Sequence, residues 1–222
     1  PRNQPAAGRA SSPAPAPGQR WLKAPTPDVA EALSNLEDIR SAGLRAADIL
    51  RALRSLAKQA PPVLEPLCVD PLVEEVLTLT ADEIGKRGVR LTADLRGNGA
   101  QVWGDRTQLQ QVVLNLVTNA LDSMAVDGGV RGAAHARKRE MLVESRVADG
   151  VLAVSVTDTG SGISPDILAR IFDPFFTTKD SGMGMGLSIC RSVMAAHGGT
   201  LSAHSDEAGS RFTFTLPVVA AG

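Results

Sequence analysis

The sequence predicts an α/β fold in which a layered domain of alternating strands and helices follows one long helix. Between residues 28 and 60, apolar residues recur at alternating steps of three and four, which is typical of a helix that packs lengthwise against other helices. After residue 62 the pattern changes to alternating strand-like and helix-like segments, which indicates a layered α/β domain. A chain of 222 residues has room for one such domain and an appendage.

Residues 1–25 are predicted to be a disordered linker. They hold six of the fourteen prolines, together with alanine, serine and glycine, and they offer almost nothing to bury before Trp21 and Leu22. The chain begins at Pro1 and not at a methionine, so we expect it to be part of a longer protein.

Residues 26–62 contain the predicted long helix. Thr26 and Pro27 are typical of a helix start, and Pro61 and Pro62 would end the helix. A helix lying on its own domain is one alternative, but the narrow apolar stripe and the flanking arginines favour a bundle or dimer partner. The stripe consists of Leu36, Ile39, Gly43, Ala46, Leu50, Leu53 and Ala57.

Residues 63–222 carry the alternating pattern of the α/β domain. Helices are predicted over 70–86, from Asp105 onward and over 165–171, and Asp70 is predicted to cap the first of them. Strands are predicted over 89–95, 141–147, 151–158, 200–205 and 211–216. Asp149 and Gly150 indicate a tight hairpin, and a turn is expected around Gly209. The polar stretch 126–140 is predicted to be a solvated loop.

The composition argues against several classes of partner. The 24 acidic and 23 basic side chains nearly cancel, so we expect neither nucleic acid nor an anionic membrane as a partner. No apolar stretch approaches the length that spans a bilayer, so no membrane contact is expected in this fragment. Cys68 and Cys190 lack metal-ligand spacing and are predicted to be free thiols in a reduced, cytoplasmic compartment.

Two asparagines interrupt the apolar face of the helix predicted after Asp105. Asn115 and Asn119 lie one turn apart, and Asp122 follows three residues later near the same edge. An asparagine that bonds only to backbone would be structural, and for a lone asparagine that is the usual interpretation. A metal-bound polyphosphate above the helix is the alternative, because a hard cation accepts an amide oxygen beside phosphate oxygens and waters.

A polar, glycine-rich turn follows the strand that is predicted to end at Asp158. Gly160 and Gly162 permit a sharp turn and let a flat ring approach the backbone closely. The Asp158 carboxylate could accept hydrogen bonds from an exocyclic amine, such as that of adenine, while Ile163 packs against the ring. Taken alone, a turn of this composition is usually no more than a turn.

A second glycine-rich segment runs from Gly182 to Leu187 and leads into a predicted helix. Such a loop presents free backbone N–H groups, and the helix dipole adds a favourable potential for phosphate. No P-loop or dinucleotide-binding pattern is present, so a nucleotide would have to bind in another way. Upstream, clustered phenylalanines precede Lys179, which indicates either core packing or a hinged lid whose lysine reaches phosphate.

In this order and spacing, four segments resemble the sequence boxes of the ATP-binding domain of histidine kinases, within the superfamily shared with gyrase, chaperone and mismatch-repair ATPases. Residues 111–120 resemble the N box, 158–162 the G1 box, 172–176 the F box and 182–187 the G2 box. The resemblance covers residues 65–218. It implies a two-layer α/β sandwich of the Bergerat type, with a mixed sheet covered by helices on one face. The short lid is similar to that of nitrogen-regulatory sensor kinases.

The resemblance also implies that ATP and Mg²⁺ bind to this domain. Asn119 would bind Mg²⁺, Asn115 and Asp122 would support the phosphate region, and Asp158 would recognise adenine. Ser210 stands where the family often has threonine near the base. The other nucleotide-binding candidates are Gly160, Gly162, Ile163, Lys179, Gly182, Gly184, Met185, Gly186 and Leu187.

The resemblance is weaker for residues 26–62, which are similar to the second helix of the dimerisation hairpin. In the family, a histidine on the first hairpin helix accepts the γ-phosphoryl group, yet residues 1–60 contain no histidine. No catalytic residue is therefore assigned, and the fragment is expected to bind ATP without phosphorylating itself. The implied function is transfer of the γ-phosphoryl to a histidine outside the fragment, for relay to a response regulator receiver domain, in a homodimer.

Two alternative functions remain open. A serine kinase of an anti-sigma system has the same fold and needs no hairpin, although the heptad-like helix argues against it. A catalytically silent module that binds nucleotide or docks a partner is the other alternative. Asn119, Asp158 and the glycines argue against that module, although binding and turnover are separate properties.

Overall fold

The computed structural model describes residues 63–125, 138–179 and 183–219, together with five positions before residue 40. The chain divides into two compact units, Pro1–Arg51 and Ala52–Gly222. In the first unit the five described residues are helical and exposed, and they are Val29, Glu31, Leu33, Leu36 and Ile39. The predicted linker 1–25, the rest of the predicted helix 26–62 and most of the loop predicted over 126–140 lie outside the described residues.

The second unit contains four helices and seven strands within its described residues. The helices are α1 (Val69–Lys86), α2 (Arg106–Ala125), α3 (Pro165–Leu168) and α4 (Gly186–Ala196). The strands are β1 (Glu65–Cys68), β2 (Arg90–Arg96), β3 (Gln101–Gly104), β4 (Glu140–Ala148), β5 (Val151–Asp158), β6 (Thr200–Asp206) and β7 (Gly209–Pro217). None of the described helices is long and apolar enough to cross a membrane.

Five strands form one mixed sheet in the order β2-β4-β5-β7-β6. The β2–β4 pair is parallel and the other three pairs are antiparallel. Alternate side chains of the central strands, such as Val143, Val154 and Phe214, are fully buried in the same core as Leu109 and Leu116 of α2. The predicted α/β sandwich with a mixed sheet is confirmed.

The opposite face of the sheet is polar and is held by ion pairs. The Arg146 guanidinium lies 2.6 Å from the Asp94 carboxylate of the neighbouring strand, and the Arg211 guanidinium lies 3.6 Å from that of Glu144. Exposed pairs of this kind stabilise a sheet by only about 0.2–1 kcal/mol each. The fold therefore depends on the buried face.

A short antiparallel ribbon of β1 and β3 was not predicted from the sequence. Each strand has four residues, and Leu67 pairs with Val102 in a register that also sets Pro66 against the half-exposed Trp103. Val102 is fully buried and forms an isolated bridge with Val218 beyond the end of β7. Four residues are too few to show a strand period, so only the tertiary contacts reveal this ribbon.

The hairpin predicted at Asp149 and Gly150 is confirmed. Both residues have positive φ, 52° and 73°, as a two-residue turn matched to the twist of its strands requires. The turn expected around Gly209 lies instead at positions 207–208, and Gly209 is the first residue of β7.

The predicted capping role of Asp70 is wrong. The N-cap of α1 is Cys68, which makes no side-chain cap bond. The Asp70 carboxylate instead accepts hydrogen bonds from the Gly97 N–H at 2.8 Å and from the Ser145 hydroxyl at 2.7 Å. Because Ser145 is fully buried in β4, its hydroxyl needs a partner, and a carboxylate on the adjoining helix supplies one.

A buried histidine joins the start of α2 to the end of α4. His197 is only 5% exposed, and its Nε2 accepts a hydrogen bond from the Asp105 N–H at 2.9 Å. Its Nδ1 lies 2.8 Å from the Val193 carbonyl oxygen, so Nδ1 carries the ring proton. Asp105 in turn caps α2, because its carboxylate accepts from the Gln108 N–H at 3.1 Å. The His197 ring therefore fixes where α2 begins.

We predict that His197→Ala lowers the free energy of unfolding by about 2–4 kcal/mol, because it leaves a cavity and removes the acceptor of the Asp105 N–H. Urea denaturation followed by circular dichroism measures the change. His204→Ala, at an exposed position of β6, is the matched control and should change the free energy by no more than about 0.5 kcal/mol. Equal effects of the two substitutions would contradict the proposed structural role of His197.

Candidate functional site

One face of α2 presents polar side chains to three separate segments of the chain. Asn115, Asn119 and Ser123 follow one another at intervals of four residues and so lie on the same side of the helix. At a rise of 1.5 Å per residue they span about 12 Å along the axis. Each contacts a different segment: Asn115 meets α4, Asn119 meets Lys179, and Ser123 meets Asp158.

Asp158 lies at the end of β5 and is only 2% exposed. Its Oδ1 accepts hydrogen bonds from the Ser123 hydroxyl at 2.8 Å and from the Gly160 N–H at 2.9 Å. Burial raises the pKa of the Asp158 carboxyl, and the hydrogen bonds from Ser123, Gly160 and the Ser210 backbone oppose that shift. A buried carboxylate with neutral hydrogen-bond partners is a common feature of binding sites.

The turn after Asp158 is held closely against β6 and β7. Gly162 has a φ of 72°, and a Cβ at this position would overlap the carbonyl oxygen of Asp206. The Ile163 N–H donates to the Ser205 hydroxyl at 2.8 Å, and that hydroxyl lies 3.0 Å from the hydroxyl of buried Ser210. The predicted residues Gly160, Gly162, Ile163 and Ser210 are therefore brought together around Asp158.

Lys179 reaches the middle of the α2 face. Its ammonium group donates to the Asn119 Oδ1 at 3.0 Å and to the Asp122 Oδ2 at 2.8 Å. The other oxygen of Asp122 accepts from the Arg87 guanidinium at 2.9 Å. Because Lys179 and Asp122 are partly exposed, these contacts add little stability. They do place the positively charged Lys179 ammonium group within hydrogen-bond distance of the Asn119 amide oxygen.

Asn115 lies near the N-terminus of α4. Its Oδ1 accepts from the Gln111 amide at 2.9 Å, and its Nδ2 lies 3.4 Å from the sulfur of Cys190. A Cβ at Gly186 would lie 4.0 Å from the same Nδ2. Burial raises the pKa of the Cys190 thiol to about 11, so this group remains a thiol at neutral pH. Both cysteines are free, as the sequence predicted.

The segment between α3 and α4 contains the aromatic cluster. Phe172 and Phe176 pack against the core. The Arg191 guanidinium lies 5.4 Å from the centre of the Phe172 ring, and the Arg170 guanidinium lies 4.4 Å from the centre of the Phe176 ring. Phe175 differs, since it is 71% exposed and has a positive φ of 66°. Phe172 and Phe176 therefore confirm the core interpretation of the cluster, and the lid interpretation stays a prediction.

The second glycine-rich segment lies close to this aromatic cluster. A Cβ at Gly184 would overlap the carbonyl oxygen of Phe176, so only glycine fits at its φ of 66°. Met185 is buried, and Leu187 packs against the core from the first turn of α4. Gly182 lies outside the described residues.

Several contacts in this region were missed by sequence reasoning. Ser123, Ser205 and Arg87 each contact a predicted site residue, but none belongs to a motif. The only available signal was the position of Ser123, one turn beyond Asn119 on the same helix face. Across the described ranges, no group of three or more histidine, cysteine or acidic side chains could hold a metal ion.

We predict that Gly162→Ala destabilises the domain by about 2–4 kcal/mol, because it adds a steric overlap to an unfavourable positive φ. Gly150→Ala is the matched control, since Gly150 has almost the same φ, 73°, but no atom within 4 Å of the added Cβ. It should cost only about 1–2 kcal/mol. Urea denaturation of both variants measures the difference, and equal losses would show that the turn is not held against Asp206.

The chain is similar to a family of known ATPases. The family described as histidine kinase-, DNA gyrase B-, and HSP90-like ATPase matches residues 104–220. Sensor protein FixL of Bradyrhizobium diazoefficiens is 37% identical over 193 residues, covering 86% of this chain and 36% of the relative. Sensor histidine kinase TmoS of Ectopseudomonas mendocina is 34% identical over 202 residues, covering 90% and 20%. The chain thus spans about a third or less of these relatives.

Solved structures agree with this relationship. The catalytic domain of histidine kinase ThkA has a TM-score of 0.59 at 30% identity, covering 69% of this chain and 95% of that domain. Histidine kinase ThkA in complex with response regulator protein TrrA has a TM-score of 0.67 at 25% sequence identity, covering 90% of this chain and 55% of that chain. Full-length ShkA in complex with AMPPNP has a TM-score of 0.69 at 27% identity, covering 92% of this chain and 42% of that chain. The chain belongs to the histidine kinase-, DNA gyrase B- and HSP90-like ATPase family and contains the ATP-binding domain of a sensor histidine kinase.

Proposed function

We propose that this chain binds Mg²⁺-ATP along the polar face of α2 and provides the catalytic part of a two-component sensor kinase. The observation that carries the proposal is that one helix face joins Asp158, through Ser123, to Lys179, through Asn119. A buried acceptor at one end suits the exocyclic amine of adenine, and a cation near the middle suits phosphate. Asn115, at the far end of the same face, and Gly186, at the neighbouring start of α4, are proposed to support the phosphate region.

The residues present fit a magnesium ion that is shared with phosphate. Mg²⁺ usually keeps several waters and takes only one or two protein oxygens when it accompanies a nucleotide, so a dedicated cluster of carboxylates is not required. The Lys179 ammonium already lies against the Asn119 Oδ1 and Asp122 Oδ2, which supports a cation-binding role for these oxygens. We propose Asn119 as the ligand, with Asp122 nearby. The ion would neutralise charge on the phosphates.

The contribution of this chain to catalysis is positioning. Ser123 and Gly160 hold the base-binding carboxylate, and we propose that Lys179 contacts phosphate, which would leave the Asn119 oxygen available to hold the metal. The γ-phosphoryl acceptor is proposed to be a histidine outside the given residues, followed by an aspartate of a response regulator receiver domain. The solved complex of ThkA with a response regulator supports this partner class.

We further propose that residues 26–62 form a dimerisation helix, that residues 63–222 form the catalytic domain, and that the protein is a homodimer. The four described apolar residues of the first unit, Val29, Leu33, Leu36 and Ile39, are each 56% to 66% exposed on a helix, and a partner helix would bury them. Use of ATP and two free thiols support a cytoplasmic site of action.

We predict that Asn119→Ala weakens binding of Mg²⁺-ATP at least tenfold and changes binding of metal-free ATP by less than about threefold, because only the metal complex uses the amide oxygen. Isothermal titration with and without Mg²⁺ measures both constants. Thr118→Ala is the matched control, because the exposed Thr118 hydroxyl bonds only within its own helix, to the Leu114 carbonyl. Equal weakening with and without metal would contradict the assignment, and no binding by the native chain would favour a docking module.

We predict that Asp158→Asn weakens ATP binding about 10- to 100-fold. The asparagine amide oxygen can still accept hydrogen bonds from Ser123 and Gly160. The amide NH2 group is a donor, however, and it cannot accept a hydrogen bond from the amine of the ligand.

The stability of Asp158→Asn relative to the native chain should depend on pH in a defined direction. Because burial raises the pKa of Asp158, this carboxyl favours the folded state most at low pH, and that contribution is lost as pH rises through the raised pKa. The stability of the asparagine variant relative to the native chain should therefore increase as the pH rises above 3.8, the ordinary pKa of an aspartate. Urea denaturation at each pH measures it, with the exposed Asp166→Asn as control. If Asp158→Asn instead loses stability relative to the native chain as the pH rises, this account is refuted.

A further inference from the structure

Ser123 makes a contact that neither the motifs nor the proposed metal site explains. Its hydroxyl lies 2.8 Å from the Asp158 Oδ1 and 2.8 Å from the Ala120 carbonyl oxygen of its own helix. A hydroxyl has a single proton, and an ionised carboxylate is a stronger acceptor than a neutral carbonyl. The proton is therefore directed at Asp158 whenever that group is charged.

The contact is built into the turn on the other side of the carboxylate. The Gly160 N–H donates to the same Oδ1 at 2.9 Å. A Cβ at Gly160 would overlap the Ser123 hydroxyl and would lie 2.8 Å from the Asp158 Oδ1. The absence of a side chain at Gly160 thus lets Ser123 and Asp158 meet, and two donors converge on one carboxylate oxygen.

The protonation state of Asp158 decides which base it can recognise. When the C6 edge of the purine faces Asp158, an ionised carboxylate accepts a hydrogen bond from the 6-amine of adenine, whereas it is repelled by the 6-carbonyl oxygen of guanine. A protonated carboxyl can donate, so it can pair with the exocyclic carbonyl of guanine. Burial favours the protonated form of Asp158, and the Ser123 hydrogen bond is the largest of the influences that oppose it.

We propose that Ser123 is a positioning residue that keeps the Asp158 carboxylate a hydrogen-bond acceptor and thereby sets the preference of the site for adenine over guanine nucleotides. This inference rests on the proposed function, because it takes Asp158 as the group that meets the base. Ser123 acts through Asp158 and does not itself contact the base.

Charged side chains on the adjoining elements are engaged elsewhere. Glu140 of β4 lies 3.5 Å from the Arg90 guanidinium, and Arg211 of β7 lies 3.6 Å from the Glu144 carboxylate. Asp206 of β6 accepts from the Ala208 N–H, and Asp122 of α2 is paired with Arg87 and Lys179. Among the described residues, burial and neutral hydrogen bonds are the influences that shift the pKa of Asp158.

The test compares ATP with GTP binding to the full 222-residue chain, as native protein and as Ser123→Ala, across about pH 5.5 to 8. The ratio of the two dissociation constants is the readout, because the two nucleotides share the same triphosphate and its ionisation cancels. For Ser123→Ala we expect the preference for ATP to fall about 10- to 100-fold at neutral pH, as for loss of a hydrogen bond to a charged group. The decline of that preference with falling pH should also begin at a higher pH.

Two further variants separate a positioning role from a general disturbance of the helix. Ser123→Cys keeps a group of similar size that is a weaker donor, so it should give an intermediate preference. Thr118→Ala, on the same helix, should leave the ratio unchanged. If Ser123→Ala keeps the native ratio at every pH, or if Ser123→Cys and Ser123→Ala behave alike, the inference is overturned.

Asp158→Asn distinguishes failure of this inference from failure of the proposed function. If the native chain binds ATP and Asp158→Asn loses it, while Ser123→Ala behaves as native, only the role of Ser123 is wrong. If Asp158→Asn binds ATP as the native chain does, Asp158 does not meet the base, and both the proposed site and this inference fail.

Discussion

Burial of the Asp158 carboxylate requires donors, and helix α2 and the turn after β5 supply them. The Ser123 hydroxyl and the Gly160 N–H both meet the same oxygen, so a residue 35 positions away on α2 determines where the end of β5 can lie. Without these partners, a carboxylate that is 2% exposed would carry a large desolvation penalty. The same α2 face then places Asn119 and Asn115 at fixed distances from Asp158, since a helix is a rigid spacer.

The Lys179 ammonium group lies at the middle of that face. Lys179 contacts Asn119 and Asp122, which are the oxygens proposed to lie near magnesium. The Lys179 ammonium balances the charge of Asp122 and connects the segment before residue 180 to α2. Because these groups are partly exposed, the contact is weak, which is compatible with the proposed exchange for a metal and phosphates.

The glycines of the site differ from an ordinary turn glycine in what surrounds them. Gly150 has open space around its missing Cβ, whereas Gly162 and Gly184 face the carbonyl oxygens of Asp206 and Phe176. Close approach of backbone to backbone is therefore part of the site, as is the buried charge of Asp158. Both features lower stability where they occur, and the large apolar core between the sheet and α2 offsets them.

The sequence by itself determined the elements with strong local signals: the α/β class, the Asp149–Gly150 hairpin, the start of α2 after Asp105 and the resemblance to the ATPase family. Only the tertiary structure decided that Asp70 bonds to Ser145 instead of capping α1, that β1 and β3 form a ribbon, and that Ser123 meets Asp158. Local patterns record the period and turn preferences of one segment, whereas these contacts join residues about 30 to 75 positions apart and depend on how the packed elements are aligned.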